Sequence, residues 1–571
     1  AKIAPMLPKN SKRWIPAPKL SAQAELELAG FSPLIAQLLF NRGFAAGADA
    51  RAFLAGELNQ SDDPLTLAGL PETVDRVRRA VAAGEAIVVY GDYDADGVTA
   101  TALLVQVLTA LGAQVRAYIP NREDEGYGLN HDALKALKAE GAGLVITVDC
   151  GIRSLAEAET ARAIGLDLII TDHHTTGEAL PDALAVVNPK RADDAYPEKN
   201  LSGVGLAFKL AQGLLRGQSR APLNASDVLD LVALGTVSDL VPLTGENRWL
   251  VRQGLKVINR PRREGLKSLI EVARLRLGSI DAGNLGFALG PRLNAAGRLD
   301  SALAAYELLT TGDLFRASQL AQQLEAQNRE RQALTRETQA RAREIALAAP
   351  GDNYLIFAAD PEFRHGVVGL AAARLTDEFY RPAVVARRDP DFTRGSARSI
   401  REFHITQAFD DCQALLVKHG GHAAAAGFTA ATENVDEFAE RLGALAAQQL
   451  AGQDLRPALR VDAEVPFRDL TPELAQDLRR FEPCGYGNPT PVLASRGVKV
   501  LSQRALGTDG QHLKLALTDG RVTFDAIAFG QAAWRDRLPA QIDVAYAFEI
   551  NEWNGEKRLQ LNVRDIQPSG G

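Results

Sequence analysis

Cysteine and long apolar runs are scarce in this sequence. The three cysteines, Cys150, Cys412 and Cys484, lie far apart and form no CxxC pair, which argues against a disulfide framework or a zinc ribbon. No stretch approaches the ~18 consecutive apolar residues of a membrane span. The first residues, AKIAPMLPKNSKRW, lack the apolar core and cleavage site of a signal peptide. We therefore expect a cytoplasmic protein with reduced thiols and no membrane association.

A surplus of positive charge is also missing. The chain has 64 Lys and Arg against 71 Asp and Glu, a formal net charge of −7, so any nucleic-acid contact must use a local basic surface. Apolar residues make up 46% and charged residues 24%, which is typical of folded globular proteins. The 571 residues predict roughly three to five domains.

Local patterns divide the chain into five predicted regions. Residues 1–74 are Pro-rich and carry no recognisable chemistry, so we interpret them as an N-terminal extension. Short apolar runs at Ala86–Tyr90, Gln114–Ile119, Leu144–Val148 and Leu166–Ile170 then alternate with helical patterns. This alternation predicts an α/β domain over residues 75–302, with a parallel sheet covered by helices on both faces.

The second half of the chain predicts three further regions. Residues 303–348 indicate a long polar helix that connects domains. Residues 349–452 predict a smaller α/β domain. Residues 453–571 contain about five short strands separated by the turn pairs Asp509-Gly510, Asp519-Gly520 and Asn554-Gly555. This pattern favours a small barrel of the OB type, although a sandwich fits the spacing almost as well.

Acidic and imidazole side chains follow the predicted strands at the points where they end. The loop GDYDADG follows the first strand and brings Asp94 and Asp96, Asp149 follows the third, and the fourth leads into Thr171-Asp172-His173-His174. Because the carboxyl ends of parallel strands form one crevice, we expect Asp94, Asp96, Asp149 and His173 to lie together. Such closely packed carboxylates would repel each other unless divalent cations were bound.

Oxygen ligands with one or two imidazoles and no thiolate favour Mn²⁺ or Mg²⁺. We expect two ions, because a carboxylate that bridges a pair of ions equips a site for phosphodiester hydrolysis. Each residue also has a structural alternative. The Asp-rich loop could form Asx turns, Asp149 and Asp172 could cap local structure, and Asp239 in GTVSDLVPL could simply end a helix.

The segments GDYDADG, VDCG, TDHH and GTVSDLVPL resemble, in order and spacing, the four successive motifs of the DHH phosphoesterase superfamily. The later segments GPRLNAAGR, RHGVVGLAAARL, GSARSI, GGHAAAAG and PCGYGNPTPVL narrow the resemblance to its RecJ family of bacterial single-strand-specific DNA exonucleases. The resemblance covers about residues 75–566 and implies a DHH domain, a DHH-associated domain joined to it by a long helix, and an OB-fold.

The resemblance also implies roles for individual residues. Asp94 and Asp149 would hold one metal, and Asp96, Asp149, His173 and Asp239 the other. His174 would lie beside the scissile phosphate or orient a metal ligand. Asp92 would contact a metal indirectly through a water, and Asp172 would contact the metal ligands without binding a metal itself. Many superfamily members have a His where this chain has Tyr90, which leaves the first metal one ligand short.

Substrate-binding residues follow from the later motifs. Arg398, Ser399 and His422 are the main predicted contacts to DNA, because a guanidinium, a hydroxyl and Gly-rich backbone can all hold phosphate. Asn294, Arg298 and His365 are the secondary ones. In the predicted barrel Tyr546, Phe548 and Trp553 are candidates for base stacking, with barrel core as the alternative.

The resemblance implies a metal-dependent enzyme that degrades single-stranded DNA from the 5′ end to 5′ mononucleotides in DNA repair and recombination. The cofactors would be two Mn²⁺ or Mg²⁺ ions, and the protein would be a monomer that works with a helicase and a single-strand-binding protein. Two alternatives stay open at this point: a DHH phosphodiesterase of short oligonucleotides or cyclic dinucleotides, and a non-catalytic scaffold that binds single strands.

Overall fold

The structure is a computed structural model that describes residues 12–58, 63–121, 125–126, 128–218, 223–299, 301–348, 354–507, 509–553 and 556–570. The chain forms two compact units. The first unit comprises Gly47–Arg329 and Arg480–Thr490. The second unit comprises the described residues of Ala1–Ala46, Glu330–Arg479 and Pro491–Gly571. None of the described helices combines the length and apolar character that a membrane crossing requires.

The described strands are, in chain order, β1 (Arg13–Pro16), β2 (Ala86–Gly91), β3 (Gln114–Tyr118), β4 (Leu144–Val148), β5 (Asp167–Thr171), β6 (Ala185–Val187), β7 (Ile356–Asp360), β8 (Ala383–Arg388), β9 (Phe392–Arg398), β10 (Lys418–His422), β11 (Ala425–Ala431), β12 (Ala458–Val461), β13 (Ala463–Glu464), β14 (Leu493–Leu506), β15 (His512–Thr518), β16 (Thr523–Ala528), β17 (Gln541–Trp553) and β18 (Glu556–Pro568).

The described helices are α1 (Ala22–Glu27), α2 (Pro33–Phe40), α3 (Gly47–Ala55), α4 (Leu70–Ala83), α5 (Ala95–Ala110), α6 (His131–Ala139), α7 (Leu155–Ala163), α8 (Gly203–Leu215), α9 (Leu229–Ser238), α10 (Gly245–Ile258), α11 (Glu264–Val272), α12 (Ala282–Asn284), α13 (Gly290–Leu299), α14 (Leu303–Thr310), α15 (Leu314–Ala348), α16 (His365–Phe379), α17 (Ile405–Asp410), α18 (Val435–Leu450) and α19 (Pro472–Arg479). A π-helical turn, Leu285–Leu289, joins α12 to α13.

The first unit is built on a parallel sheet with the strand order β3-β2-β4-β5-β6. One apolar core covers one face with residues of α4, α5, α8 and α9, and a second core with residues of α6 and α7 covers the other. Strand β4 is buried along its whole length, as expected for a central parallel strand. The predicted parallel sheet is therefore confirmed, and β6 is an additional strand.

The second unit contains a mixed sheet with the order β10-β11-β9-β8-β7, in which only β7 and β8 are parallel. Its other large sheet has the order β13-β14-β15-β16-β18-β17 and closes through a further pairing of β14 with β17. Closure removes the edge strands and makes this sheet a barrel. The OB-type prediction is confirmed, and the sandwich alternative is wrong.

Two boundaries differ from the predicted ones. The region predicted as one helix from residue 303 contains a short helix, α14, and the 35-residue α15, which begins at Leu314. The predicted N-terminal extension is tied into the second unit, because β1 pairs in parallel with β12. The predicted turn Asn554-Gly555 lies outside the described residues.

Candidate active site

The Asp-rich loop after β2 is a tight helix start. Oδ1 of Asp94 accepts hydrogen bonds from the amides of Asp96 (2.9 Å) and Gly97 (3.1 Å) and so caps α5. A Cβ atom at Gly97 would lie 2.6 Å from the carbonyl oxygen of Asp92, so only glycine fits there. This compact turn leaves the side chains of Asp92 and Asp96 buried at the carboxyl edge of the sheet.

The amino end of α8 holds Asp96. The amides of Gly203 and Val204 donate to Oδ2 (2.6 Å) and Oδ1 (2.9 Å) of Asp96, and Ser202 caps the helix. A helix N-terminus favours a negative charge, and each carboxylate oxygen keeps a second lone pair for a further ligand. Burial nevertheless raises the pKa of Asp96 to about 7, and the charge of Asp94 adds to this effect.

Asp149 follows β4 with a left-handed backbone, φ +64°. This strained conformation brings its side chain against α8, where a Cβ atom at Gly203 would lie only 2.6 Å from Cβ of Asp149. Burial raises the pKa of Asp149 well above its ordinary value, and the charges of Asp96 and Asp94 raise it further.

His173 lies at the centre of three carboxylates. Its Nε2 is 3.1 Å from Oδ1 of Asp149, 3.4 Å from Oδ2 of Asp239 and 4.0 Å from Oδ2 of Asp96. Burial lowers the pKa of His173 to about 3, with a further contribution from His174, so the imidazole is neutral and able to act as a metal ligand.

Asp239 comes from the end of α9, where it caps the helix. The next residue, Leu240, has φ +61°, which turns the chain sharply away from the helix. Burial raises the pKa of the Asp239 carboxyl to about 9, and the charge of Asp96 raises it as well. Together, Asp92, Asp94, Asp96, Asp149, His173 and Asp239 form what we call the acidic cluster.

The acidic cluster fits divalent cations. Three groups each bring ligand atoms within 4.8 Å of one another: Asp92, Asp94 and Asp149; Asp96, His173 and Asp239; and Asp149, His173 and His174. Among the described residues, the buried Nε2 of His173 has no hydrogen-bond partner in normal geometry, although carboxylate oxygens surround it. Oxygen and imidazole donors with no thiolate are the set that Mn²⁺ and Mg²⁺ take. Asp149 and His173 each occur in two of the groups, and of these two Asp149 is the one with two carboxylate oxygens to share between ions.

Asp172 orients His174. Its Oδ2 accepts from the amide of Ile152 (2.9 Å), and its Oδ1 lies 2.7 Å from Nδ1 of His174. Burial alone would lower the pKa of His174, but the hydrogen bond to Asp172 and the charge of that carboxylate outweigh it and raise the pKa. A protonated His174 thus has Nδ1 engaged and Nε2 directed away from Asp172.

Two of the predicted substrate residues lie in α13, which packs on the Asp-rich loop. Oδ1 of Asn294 accepts from the amide of Ala95 (2.7 Å), and a Cβ atom at Gly297 would lie 2.5 Å from the carbonyl oxygen of Tyr93. Arg298 follows on the same helix and is half-buried. The structure thus places both residues at the edge of the sheet that carries Asp94 and Asp96.

The other predicted substrate residues belong to the second unit. Arg398 donates through Nη1 to Oγ of Ser396 (2.9 Å) and to the carbonyl of Ala397 (2.8 Å). No carboxylate among the described residues pairs with Arg398, and burial lowers its pKa. Ser396, which is absent from the predicted set, is therefore the hydroxyl beside Arg398, whereas the hydroxyl of Ser399 donates to the carbonyl of Phe403 (2.7 Å).

The two predicted histidines of this unit are more exposed. His365 begins α16 and lies 3.7 Å from Asp389. His422 ends β10 and is exposed, and its carbonyl accepts from the hydroxyl of Thr406. The Gly-rich segment around His422 is a β-hairpin, since Gly420 and Gly427 pair with each other across β10 and β11.

Tyr90 points away from the acidic cluster. It is buried in the core on the opposite face of the sheet, and its hydroxyl donates to the carbonyl of Gly128 (3.0 Å). Tyr90 therefore does not supply the ligand that a His would provide at that position.

Ser202-Gly203 and Lys190 also adjoin the acidic cluster, and neither is among the predicted site residues. Lys190 is half-buried beyond β6, and its charge acts on Asp239, Asp172 and His173. Oδ1 of the buried Asn188 accepts from the amide of Lys190 (2.8 Å), while its Nδ2 donates to the carbonyl of His174 (2.9 Å). Lys190 follows β6 as the acidic residues follow the earlier strands, so the sequence would have indicated it if the three-residue β6 had been predicted.

The barrel aromatics require a correction. Tyr546 is fully buried, and its hydroxyl lies 2.7 Å from Oγ of Ser495; Phe548 is 5% exposed and packs on Phe524. The prediction that these two rings stack on bases is therefore wrong. The side chain of Trp553 lies outside the described residues.

A different barrel surface is open. Arg504, Lys514 and Ile527 lie opposite one another on β14, β15 and β16, and the alternating residues Leu513 and Leu515 point into the core. At the end of this surface His512 packs edge-on against Phe529, which is 55% exposed. We call this surface the outer barrel face, defined by Arg504, His512, Lys514, Ile527 and Phe529.

Comparison with known families agrees with this architecture. Residues 86–236 match the DHH family N-terminal domain, residues 351–448 the DHHA1 domain and residues 461–565 the RecJ OB domain.

Several relatives along most of the chain carry the name single-stranded-DNA-specific exonuclease RecJ. The protein of this name from Bacillus subtilis is 39% identical over 94% of this chain and 68% of its own length, and that from Escherichia coli is 36% identical over 95% and 96%. The crystal structure of RecJ from Thermus thermophilus in complex with Mn²⁺ matches with a TM-score of 0.83 and 32% identity over 98% of this chain and 80% of that one. A complex of the same protein with Mg²⁺ matches with a TM-score of 0.78. This chain therefore belongs to the RecJ family of single-stranded-DNA-specific exonucleases.

Proposed function

We propose that this chain is a metal-dependent exonuclease that hydrolyses single-stranded DNA from the 5′ end to 5′ mononucleotides. The observation that carries the proposal is the convergence of the buried Asp96 and Asp149 and the partly buried Asp239 on Nε2 of His173 in a member of the RecJ family. Carboxylates held this close in a buried site favour a bound divalent cation.

Two ions, Mn²⁺ or Mg²⁺, are proposed for the site. Asp94 and Asp149 would hold one, with Asp92 in the same group of ligand atoms; Asp96, His173 and Asp239 would hold the other together with Asp149, whose Oδ1 lies 3.1 Å from Nε2 of His173. Divalent ions in such a site supply Lewis acidity to the phosphate and lower the pKa of water. RecJ from Thermus thermophilus, which shares this fold, was solved in complex with Mn²⁺ and with Mg²⁺.

Groups next to the metal ligands orient them, and His174 carries a proton. Asp172 holds the imidazole of His174 by Nδ1 and keeps it protonated to a higher pH than usual. Nε2 of His174 can then donate to a phosphate oxygen in the crevice. The amides of Gly203 and Val204 keep Asp96 oriented, so the ligand geometry exists before DNA binds.

Arg398 is proposed to hold a phosphate of the strand. A guanidinium that is largely buried and has no carboxylate partner among the described residues needs an anion, and its planar fork matches two phosphate oxygens. Ser396 orients the guanidinium and can donate its own hydroxyl to the same phosphate. Asn294, Arg298, His365, Ser399 and His422 stay proposed contacts.

The outer barrel face is proposed to bind the strand away from the cut. Its exposed cation Arg504 and the exposed Phe529 give the charge and the ring surface that binding of single strands without sequence preference needs, whereas Lys514 is already paired with Asp525 at 2.9 Å. A role in DNA repair and recombination, cooperation with a helicase and a single-strand-binding protein, and a monomeric state belong to the same proposal.

Digestion of end-labelled strands tests this proposal. In Mn²⁺ a 5′-labelled single strand should release its label at once as a mononucleotide, while a 3′-labelled strand should shorten progressively. EDTA-treated enzyme and an otherwise identical duplex are the controls. Early release of the 3′ label would refute the polarity. Cleavage of dinucleotides with no action on long strands would favour a short-oligonucleotide phosphodiesterase instead.

A further inference from the structure

The segment Arg480–Thr490 contains the motif PCGYGNP, to which the proposed function assigns no task. Hydrogen bonds within the segment hold its backbone in a compact turn. Asn488 is buried, and its Nδ2 donates to the carbonyls of Phe481 (2.9 Å) and Pro483 (2.9 Å). Gly485 and Asn488 also exchange backbone hydrogen bonds of 2.9 and 3.2 Å. The segment is therefore a rigid loop and not a flexible linker.

This loop rests on the chain that leaves Asp239. The amide of Leu243 donates to the carbonyl of Tyr486 (2.7 Å). A Cβ atom at Gly487 (φ +75°) would lie 2.8 Å from Cβ of Pro242, and one at Gly485 would lie 2.7 Å from Cδ1 of Leu243. The two glycines thus let the chain on either side of Tyr486 pack closely against Pro242 and Leu243, and a larger residue at Gly487 would be strained as well as crowded.

A buried arginine fixes the other end of the loop. Arg248 donates to the carbonyls of Arg480 (2.9 Å) and Glu482 (2.8 Å) and stacks 3.9 Å above the ring of Phe53. Phe481 is fully buried beside Phe53, with 5.8 Å between ring centroids. Burial of Phe481 and of the Arg248 guanidinium anchors the loop to the unit that holds the acidic cluster.

On this fixed backbone the ring of Tyr486 is 66% exposed. Leu240, directly after Asp239, is 70% exposed. Leu243, whose amide donates to the carbonyl of Tyr486, follows Asp239 by only four positions in the chain. The backbone of Tyr486 therefore lies within about 20 Å of that of Asp239, a distance that a few nucleotides of a single strand can span. A ring presented by rigid backbone loses little conformational entropy when it stacks on a base.

We propose that Tyr486 stacks on an unpaired base of the DNA strand close to the cleaved phosphate. The inference rests on the proposed function, because it requires a single strand in the crevice beside Asp239. Stacking on a protein ring needs a base whose face is not covered by its duplex neighbours. Tyr486 therefore contributes to the preference for single strands as well as to affinity.

The test compares Tyr486→Ala with Tyr486→Phe and with the control Phe315→Ala, which removes an 83% exposed ring at the start of α15. On a short single strand kcat/KM should fall about 5- to 100-fold for Tyr486→Ala and stay near wild type for Tyr486→Phe and Phe315→Ala. Strands with one abasic site at successive positions from the 5′ end then locate the base. Wild type should be slowed at one position, and Tyr486→Ala should show no further loss at that position.

Other outcomes overturn the inference. An unchanged kcat/KM for Tyr486→Ala, or an undiminished abasic effect in that variant, would remove Tyr486 from the strand. Weaker Mn²⁺ binding by Tyr486→Ala, with equal losses at every abasic position, would assign the loop to positioning Asp239 instead. Failure of the wild-type enzyme to degrade any single strand would refute the proposed function itself, which separates the two failures.

Discussion

At the scale of single residues, the acidic cluster depends on positions that accept no side chain. Gly203 is the clearest case, because its amide holds Asp96 while its Cα faces Asp149. Gly235 on α9 is similar, since a Cβ atom there would lie 2.2 Å from Oγ1 of Thr99 and 2.8 Å from Oδ1 of Asp96. The ligands are thus placed by backbone packing as much as by their own side chains.

Gly203→Ala should abolish most activity. The new methyl would lie 2.6 Å from Cβ of Asp149, so this ligand or α8 must move, and such displacements cost about a hundredfold in rate. The measurement is kcat on single-stranded DNA in Mn²⁺. Gly205→Ala is the matched control in the same helix, because its methyl would meet nothing closer than Oγ of Ser202 at 3.3 Å. Equal activity of the two variants would contradict this view of Gly203.

Metal affinity should rise with pH. In the absence of cations the pKa of Asp96 is raised to about 7 and that of Asp239 to about 9, so both carboxyls hold protons at lower pH. A cation must displace these protons, and its affinity therefore increases from about pH 6 to about pH 9. Calorimetric titration of Mn²⁺ in buffers of different ionisation heat would count the protons released. An affinity that is constant over this range, with no proton release, would contradict the prediction.

Much of the residue-level site follows from the sequence. Asp94, Asp96, Asp149 and His173 could be placed together because parallel strands end at one edge of a sheet. The backbone amides that orient Asp96 could not, since they come from a helix start more than a hundred residues away. Likewise, no local signal shows that Ser396 and not Ser399 adjoins Arg398, because both hydroxyls lie within the same short motif.

At the scale of elements, strand β17 of the barrel does not show the alternation of buried and exposed residues that is typical of a strand. Residues 542–548 of β17 are all buried, because α19 packs against this strand and a bulge between Ala545 and Tyr546 shifts the register. The alternating pattern therefore does not predict whether the rings of Tyr546 and Phe548 in β17 are exposed. Strands β14, β15 and β16 do alternate, and they define the outer barrel face.

Variants of the outer barrel face should weaken binding and its dependence on salt. Arg504→Ala should lower affinity for a long single strand and reduce the slope of log affinity against log salt by about 1. Phe529→Ala should lower affinity with little change in that slope, because it removes stacking and not charge. Both are measured in EDTA, so that binding is followed without cleavage.

Arg558→Ala is the matched control for the barrel, since its guanidinium is already paired with Glu556 at 2.6 Å. This variant should bind as the wild type does. Wild-type affinity and slope in Arg504→Ala would show that the strand does not cross the outer barrel face.

At the scale of the whole molecule, each compact unit is built from segments that are not continuous in sequence. Arg480–Thr490 lies within the region that matches the RecJ OB domain, yet it packs in the first unit, and the N-terminal β1 pairs with β12 in the second. Pairings between such distant segments leave no local pattern, which is why the sequence predicts the domains but not these exchanges. Deletion of the barrel from about residue 453 would also remove the loop beside Asp239, so point variants test the barrel more cleanly.

The most direct measurement of the central claim, a two-ion site bridged by Asp149, is cleavage and Mn²⁺ binding by Asp149→Ala. The variant should keep less than about a tenth of wild-type activity and lose binding at both ions, because a bridging carboxylate holds the pair together. Asp182→Ala, which removes an exposed carboxylate paired with Arg162, is the control and should match wild type. Retention of more than about a tenth of the activity, or loss of only one Mn²⁺ ion, would contradict the bridged site.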